Sequence, residues 1–91
     1  MKQYYYVYIL LLANKQLYTG FTAELDRRIK EHKDGKVKSA ERRRPLELIH
    51  VERYCLESDA RRREKFLKTT EGKRLLRQQI RDLLRDKGVT E

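Results

Sequence analysis

Nine consecutive aromatic, β-branched and leucine residues, YYYVYILLL, occupy residues 4–12 of a chain in which 41% of residues are charged. Such a run is expected inside the fold, because exposing it to water forfeits the free energy of burying apolar surface. Aromatic and β-branched residues favour a strand, and the lack of polar alternation favours burial on both faces of that strand. The sequence therefore predicts a strand at the centre of a sheet.

Turn and helix signals follow this strand. Residues 13–16 are typical of a turn, and residues 17–20 then predict a second strand that pairs back as a hairpin. A helix is expected next, with Thr22 as a candidate N-cap and Asp34 near its end. Gly35 is a natural stop for that helix, because glycine accepts the left-handed backbone conformation that commonly follows a helix.

The second half of the chain predicts one more strand and two helices. Residues 36–45 are basic and polar and are expected to form a loop. A third strand is predicted over residues 46–54, followed by a helix that is capped by Ser58 and runs to about Thr69. A final helix, capped by Thr70, is expected to bury a stripe of residues at helical spacing: Leu76, Ile80, Leu83 and Leu84.

Together these elements predict an α/β fold in a single domain over residues 1–91, in the order β-β-α-β-α-α. A small three-stranded sheet would carry helices packed on it. In the third strand, alternation places Ile49 and Val51 on one face. The opposite face of that strand would then carry Leu46, Leu48, His50 and Tyr54.

Positive charge is the second constraint on function. Lys and Arg number 23 against 14 Asp and Glu, which gives a formal net charge of +9. Two runs of three arginines, at residues 42–44 and 61–63, form a basic surface that would attract phosphate backbones by releasing counterions. A solvated surface that keeps a small protein soluble is the alternative. The candidate nucleic-acid-binding residues are Arg42, Arg43, Arg44, Arg61, Arg62 and Lys65.

Several other classes of protein are excluded. The longest apolar run, residues 7–13, is far shorter than the ~20 residues that span a bilayer, and no leader peptide is expected. The single cysteine, Cys55, excludes an internal disulfide framework and a cysteine-based zinc site. A reducing, cytoplasmic location is therefore expected.

Polar side chains fall on helix faces where apolar ones are expected. Arg28 and His32 lie on the apolar face of the first helix, and Glu64 lies on that of the next. A buried carboxylate has to be paired, hydrogen-bonded or bound to a metal. Together with Tyr8 and Tyr18, these residues suit phosphodiester hydrolysis, which needs a base for water, a cation for the developing charge and a carboxylate for a metal. Ordinary core tyrosines and a structural Arg28–Glu64 ion pair are the alternatives.

The sequence resembles the GIY-YIG nuclease family at these residues. YVY at residues 6–8 stands in the place of the first family motif, and YTG at residues 18–20 stands in the place of the second. Ten residues separate Tyr8 from Tyr18, and ten more separate Tyr18 from Arg28. The segments LDRRIKEH (25–32) and ARRREKFLK (60–68) resemble the family's helix motif and its glutamate helix. The resemblance is to small stand-alone members, similar to the N-terminal nuclease domain of the C subunit of bacterial excision repair.

This resemblance implies an antiparallel sheet flanked by helices and metal-dependent hydrolysis of DNA phosphodiester bonds, in repair or processing. Tyr8 and Tyr18 would flank the scissile phosphate and position or deprotonate the attacking water. Arg28 would stabilise the charge that develops on the phosphorane, and His32 would assist the tyrosines. Glu64 would hold one Mg²⁺ or Mn²⁺.

The chain also departs from the family pattern. Tyr6 and Val7 replace Gly and Ile in the first motif, and Thr19 replaces Ile in the second. Gly20 is kept, and it would let the backbone approach closely where a side chain would block. The asparagine that many members carry after the glutamate helix is missing. Two other functions therefore stay open: a catalytically silent nucleic-acid-binding module, and a protein-interaction subunit that offers its basic face to an acidic partner.

Overall fold

The structure is a computed structural model that describes residues 2–38 and 43–89. Its elements are β1 (Tyr5–Leu11), β2 (Leu17–Thr22), α1 (Leu25–Lys33), β3 (Glu47–Tyr54), α2 (Glu57–Leu67), α3 (Thr70–Gln79) and α4 (Arg81–Asp86). The strands form one antiparallel sheet in the order β2-β1-β3, so the apolar run is the central strand. The predicted fold class is confirmed.

Both faces of β1 are covered, which explains why its sequence lacks polar alternation. One face carries Val7, Ile9 and Leu11 and forms a core with Ala60 and Leu67 of α2, Leu76 of α3, Leu84 of α4 and Ile80 between α3 and α4. The other face carries Tyr8, Leu10 and Leu12 and packs on Ile29 of α1. The sheet is therefore the middle layer between one helix and a group of three.

The predicted faces of the third strand are wrong. The pairing of β1 with β3 is irregular: Ile9 lies opposite His50, whereas the next residue, Leu10, lies opposite Leu48. The extra residue, Ile49, is a bulge that reverses the alternation for the rest of the strand. Leu46 and Leu48 consequently face α1, whereas Ile49, His50 and Tyr54 face α2.

The predicted helix starts shift by one or two residues. Glu24, not Thr22, is the N-cap of α1, although Thr22 accepts a hydrogen bond at Oγ1 from the Glu24 amide at 3.0 Å. Leu56, not Ser58, precedes α2. Thr69, not Thr70, caps α3 by accepting at Oγ1 from the amide of Gly72 at 3.0 Å.

The predicted final helix is two helices. At Ile80 the backbone leaves the helical region, with φ −110° and ψ 30°, and this residue ends α3 and begins α4. The order is therefore β-β-α-β-α-α-α. The buried stripe survives the break, with Leu83 partly exposed. Gly35, with φ +76°, follows α1 as predicted. Among the described residues, no helix has the length and apolar character needed to cross a membrane.

Candidate active site

The site begins with a buried tyrosine–histidine pair between the sheet and α1. Tyr8 lies on the α1 face of the central strand, and His32 lies near the end of α1. The Tyr8 hydroxyl is 2.8 Å from Nε2 of His32, and each residue is only 1% exposed. Two polar groups withdrawn from water in this way depend on each other for hydrogen bonding.

Tyr18 extends this pair to the surface. Its ring centroid lies 5.0 Å from that of His32 and 6.4 Å from that of Tyr8, and Tyr18 is partly exposed. Gly20 lies directly opposite Tyr8 in the β1–β2 pairing, and a Cβ there would overlap the Tyr8 ring and hydroxyl. The close approach expected at Gly20 is therefore made by the Tyr8 ring, which crosses the edge strand at this glycine.

The guanidinium of Arg28 lies beside the Tyr8 hydroxyl. It opposes the rise of the Tyr8 pKa and pairs with Glu31 at 3.1 Å. Because a guanidinium carries donors only, Arg28 can only donate toward the Tyr8 oxygen. In that arrangement the proton of Tyr8 is directed to Nε2 of His32, which then acts as the acceptor.

The electrostatics of the pair favour a neutral histidine beside a protonated tyrosine. Burial raises the pKa of Tyr8; the hydrogen bond from Arg28 opposes that shift, and the charges of Tyr18 and Glu64 add to it. Burial lowers the pKa of His32, and the positive charge of Arg28 lowers it further. Nδ1 of His32 is buried and has no partner among the described residues. The neutral ring has one nitrogen without a proton, and Nε2 beside the Tyr8 hydroxyl can serve as that acceptor.

Glu64 lies apart from these four residues, on α2. Its carboxylate is 3.1 Å from Nζ of Lys68, one turn along the helix, and its side chain is 20% exposed. The structural Arg28–Glu64 ion pair considered from the sequence is wrong, because Arg28 pairs with Glu31 instead. The Glu64 charge nevertheless acts on the Tyr8 hydroxyl, where it contributes to the raised pKa after burial and Tyr18.

The carboxylate of Glu64 is the donor that a metal could use. No group of three or more His, Cys, Asp and Glu residues that could hold a metal occurs in residues 2–38 and 43–89. A single carboxylate does not make a closed metal cage. It does fit Mg²⁺, which usually keeps several waters and binds one or two carboxylates together with substrate phosphates.

The first arginine run is only partly described, because Arg42 lies outside the described residues. Arg43 is exposed, and its carbonyl accepts from the Ala13 amide at 2.8 Å. Arg44 is exposed and donates from Nη1 to the carbonyl of Lys33 at 3.2 Å. Both described arginines of this run therefore lie at the surface.

The second run does not present three arginines to solvent. Arg61 is exposed, pairs with Glu57 and places its guanidinium 4.2 Å from the ring centroid of Phe21. Arg62 pairs with Asp59 at 2.9 Å, and Lys65 is exposed. The third arginine turns inward, so this helix offers Arg61, Arg62 and Lys65 as surface cations.

The inward arginine, Arg63, belongs to a polar cluster that the sequence analysis missed. It donates to both carboxylate oxygens of Glu52, at 2.8 and 3.2 Å. Glu52 also accepts from the Tyr54 hydroxyl at 2.9 Å and lies 3.0 Å from Nε2 of His50. The available signal was the two-residue spacing of His50, Glu52 and Tyr54, which places all three on one face of a strand.

The comparisons with known proteins agree with this geometry. The family model of the GIY-YIG catalytic domain matches residues 4–78. The chain belongs to the GIY-YIG family.

Its relatives specify the branch. A UPF0213 protein of Haloquadratum walsbyi is 37% identical over 86 residues, which are 91% of this chain and 97% of that protein. A UPF0213 protein of Clostridium perfringens is 36% identical over 87 residues, or 94% and 88% of the two chains. The solution NMR structure of a UPF0213 protein of Bacillus halodurans has a TM-score of 0.53 and 36% identity, and the match covers 80% of this chain and 81% of that one. These similarities place the chain with the UPF0213 proteins, which are small stand-alone GIY-YIG members.

Proposed function

We propose that this protein is an endonuclease that hydrolyses DNA phosphodiester bonds with the help of a divalent metal ion. The observation that carries the proposal is the buried Tyr8–His32 hydrogen bond beside Arg28, in which a neutral histidine can receive the tyrosine proton. The match to the family model of the GIY-YIG catalytic domain supports the proposal.

The chain of hydrogen bonds suits proton removal from an attacking water. Because burial raises the pKa of Tyr8, a free tyrosinate is disfavoured. The Tyr8 oxygen can instead accept a proton from water while its own proton passes to Nε2 of His32. The resulting hydroxide attacks phosphorus, the bond to the leaving sugar oxygen breaks, and that oxygen takes a proton from solvent.

Two further residues suit the charged parts of this reaction. Arg28 is half exposed beside the Tyr8 hydroxyl, so its guanidinium can stabilise the negative charge of the phosphorane. Tyr18, at the surface of the same cluster, can orient the water or the phosphate. Glu64 would hold Mg²⁺ or Mn²⁺, and such an ion supplies Lewis-acid stabilisation of the phosphoryl oxygens when bound.

Binding of the substrate is proposed to depend on phosphate contacts rather than on sequence. The exposed cations Arg43, Arg44, Arg61, Arg62 and Lys65 are available for it, as is Arg42 outside the described residues. If about 4–6 phosphates are neutralised, log K falls with log salt at a slope of roughly −4 to −5. Titrations of DNA at several salt concentrations measure this slope, and a flat dependence contradicts the binding mode.

We propose DNA repair or processing as the biological setting. We propose the cytoplasm as the compartment, because the free Cys55 suits a reducing environment.

A cleavage assay tests the proposal. Duplex, branched, damaged and single-stranded DNA and an RNA are incubated with the protein in Mg²⁺, in Mn²⁺ and in EDTA. Cleavage of at least one DNA in a metal ion and none in EDTA is expected. Salt-dependent binding without cleavage would favour a silent binding module, and no binding at low salt would favour a protein-interaction subunit.

A further inference from the structure

A basic cavity on the other side of the edge strand β2 is not used by the chemistry above. It has a volume of about 350 Å³ and is lined by Gln16, Leu17, Thr19, Arg43, Lys73, Leu76 and Arg77. Three of these residues are cations, and they come from two separate parts of the chain, α3 and the segment before β3. None of the described residues that line the cavity is acidic.

The cations of the cavity lack counter-charges. Within residues 2–38 and 43–89, the side chains of Arg43, Lys73 and Arg77 make no ion pair or hydrogen bond. The contrast with Arg74 on the same helix is direct, because Arg74 pairs with Glu71. Lys73 and Arg77 are four residues apart and therefore share a helix face. Like charges gathered around one cavity repel each other, so the fold gains when an anion binds between them.

Polar groups on β2 add to the cavity. Thr19 lines it with a side chain that can donate a hydrogen bond, at the position where the resembled family motif has isoleucine. Gln16 lies at the start of the same strand. A phosphate group accepts hydrogen bonds and carries negative charge, so it matches both features of the lining. The volume lies within the range of about 300–1,000 Å³ that small-ligand sites occupy.

The position of the cavity connects it to the candidate active site. Tyr18 and Thr19 are neighbours in β2, and successive side chains of a strand point to opposite faces. Tyr18 lies with His32 on the α1 face, whereas Thr19 points to the α3 side. Since β2 is an edge strand, nothing in the sheet separates the two faces beyond it. A strand of nucleic acid that crosses this edge can reach both sites.

We propose that the cavity lined by Arg43, Lys73, Arg77 and Thr19 binds a backbone phosphate of the nucleic acid, next to the phosphate at the tyrosine site. This inference rests on the proposed function for the nature of the ligand. It adds a second contact that holds the strand across β2, and it assigns binding roles to Lys73 and Arg77 on α3.

A pair of double variants tests the proposal. Lys73→Gln with Arg77→Gln removes two cations from the cavity. Arg81→Gln with Arg85→Gln removes two exposed cations at the same four-residue spacing on α4, away from the cavity. Anisotropy titrations with a short oligonucleotide, single-stranded and duplex, are run in EDTA at several salt concentrations. Thermal melts establish that both variants are folded.

The cavity variant is expected to bind on the order of tenfold more weakly and to lose about 2 from the magnitude of the salt slope, since each phosphate contact contributes close to 1. The α4 variant should keep most of the slope. Amide NMR signals of Gln16 and Thr19 should shift with oligonucleotide in wild type and remain still in the cavity variant. Equal losses in both double variants, or unmoved Thr19 signals, overturn the proposal. Metal-dependent cleavage by wild type is scored separately, so the cavity can fail while the nuclease function stands.

Discussion

The two faces of the sheet each carry a tyrosine, a histidine and an arginine, but only on the α2 face does a single carboxylate contact all three. There, Glu52 lies between Arg63, Tyr54 and His50, each within 3.0 Å of one of its oxygens. Burial alone would raise the pKa of Glu52, but hydrogen bonds from Arg63, His50 and Tyr54 hold that pKa below its ordinary value. Each side chain of this cluster therefore contacts a partner through a hydrogen bond or an ion pair.

Among the described residues of the α1 face, no carboxylate contacts the tyrosine, the histidine and the arginine together. Arg28 lies beside the Tyr8 hydroxyl, Tyr8 hydrogen-bonds Nε2 of His32, and Nδ1 of His32 has no partner among the described residues. Burial lowers the pKa of His32, whereas the α2 cluster is stabilised by full ionisation of its carboxylate. A polar cluster whose groups are all satisfied stabilises a fold, and one with unused capacity is available for chemistry. On this comparison we propose that the α2 cluster is structural and that the α1 cluster carries the reactivity.

The largest effect is expected at Glu64, the carboxylate proposed to hold the metal ion. Glu64→Gln should lower metal-dependent cleavage by about a thousandfold or more, because a metal ion supplies several kcal/mol of transition-state stabilisation. Stability should change by less than about 0.5 kcal/mol, since the one ion pair of Glu64 among the described residues is with Lys68, one turn along the helix.

Electron paramagnetic resonance of Mn²⁺ in the presence of DNA gives a readout that is independent of cleavage. Bound Mn²⁺ should decrease in Glu64→Gln and stay at the wild-type level in Glu57→Gln, which breaks an equivalent helix pair with Arg61. Equal Mn²⁺ binding by both variants would contradict the metal role of Glu64.

Replacing Arg28 should impair cleavage, whereas replacing Arg63 should impair stability. Arg28→Ala is expected to reduce cleavage by about 10²–10³, the usual cost of removing one charge-stabilising donor, with a stability change below about 1 kcal/mol because Arg28 is half exposed. Arg63→Ala leaves Glu52 without its main partner and should cost about 3 kcal/mol, while the rate per folded molecule is unchanged. Urea melts and initial rates check both, and a catalytic defect in folded Arg63→Ala would erase the distinction between the faces.

The smallest effect is a pH dependence of stability. Because the pKa of His32 is lowered in the fold, the unfolded chain binds the proton more readily, and wild-type stability should fall as pH drops below about 6.5. The slope for one proton is at most about 1.4 kcal/mol per pH unit. Glu52 does not interfere above pH 5, since its folded pKa lies below its ordinary value and its contribution is lost only at lower pH. Denaturant melts of wild type and His32→Gln between pH 7 and 5 should diverge, and parallel curves would contradict a neutral buried His32.

Local pattern was sufficient for the elements and for part of the site. The apolar run identified the central strand, because no polar residue interrupts it. The helical spacing of Arg28 and His32 placed both on the sheet-facing side of α1, where Tyr8 meets them. The roles given to these residues stay predictions, whereas their proximity is a feature of the structure.

The missed features depend on contacts that no short window of sequence contains. The bulge at Ile49 reverses the faces of β3, because one inserted residue shifts the two-residue period. The side chain of Arg63 points away from the other two arginines and pairs with Glu52, which lies 11 residues away in the chain and on another element. No Pro or Gly marks the break at Ile80, so the helical spacing of apolar residues predicted one continuous helix there. Tertiary packing decided each of these.

Cleavage by Tyr8→Phe and Tyr54→Phe, side by side, tests the central claim most directly. Each variant removes one hydroxyl from one of the two clusters and keeps the aromatic ring. Tyr8→Phe should lose cleavage by at least about a hundredfold while binding DNA as wild type does, because the proton path to His32 is gone. Tyr54→Phe should cleave at the wild-type rate and lose about 1 kcal/mol of stability with one hydrogen bond to Glu52. Wild-type cleavage by Tyr8→Phe would contradict the account.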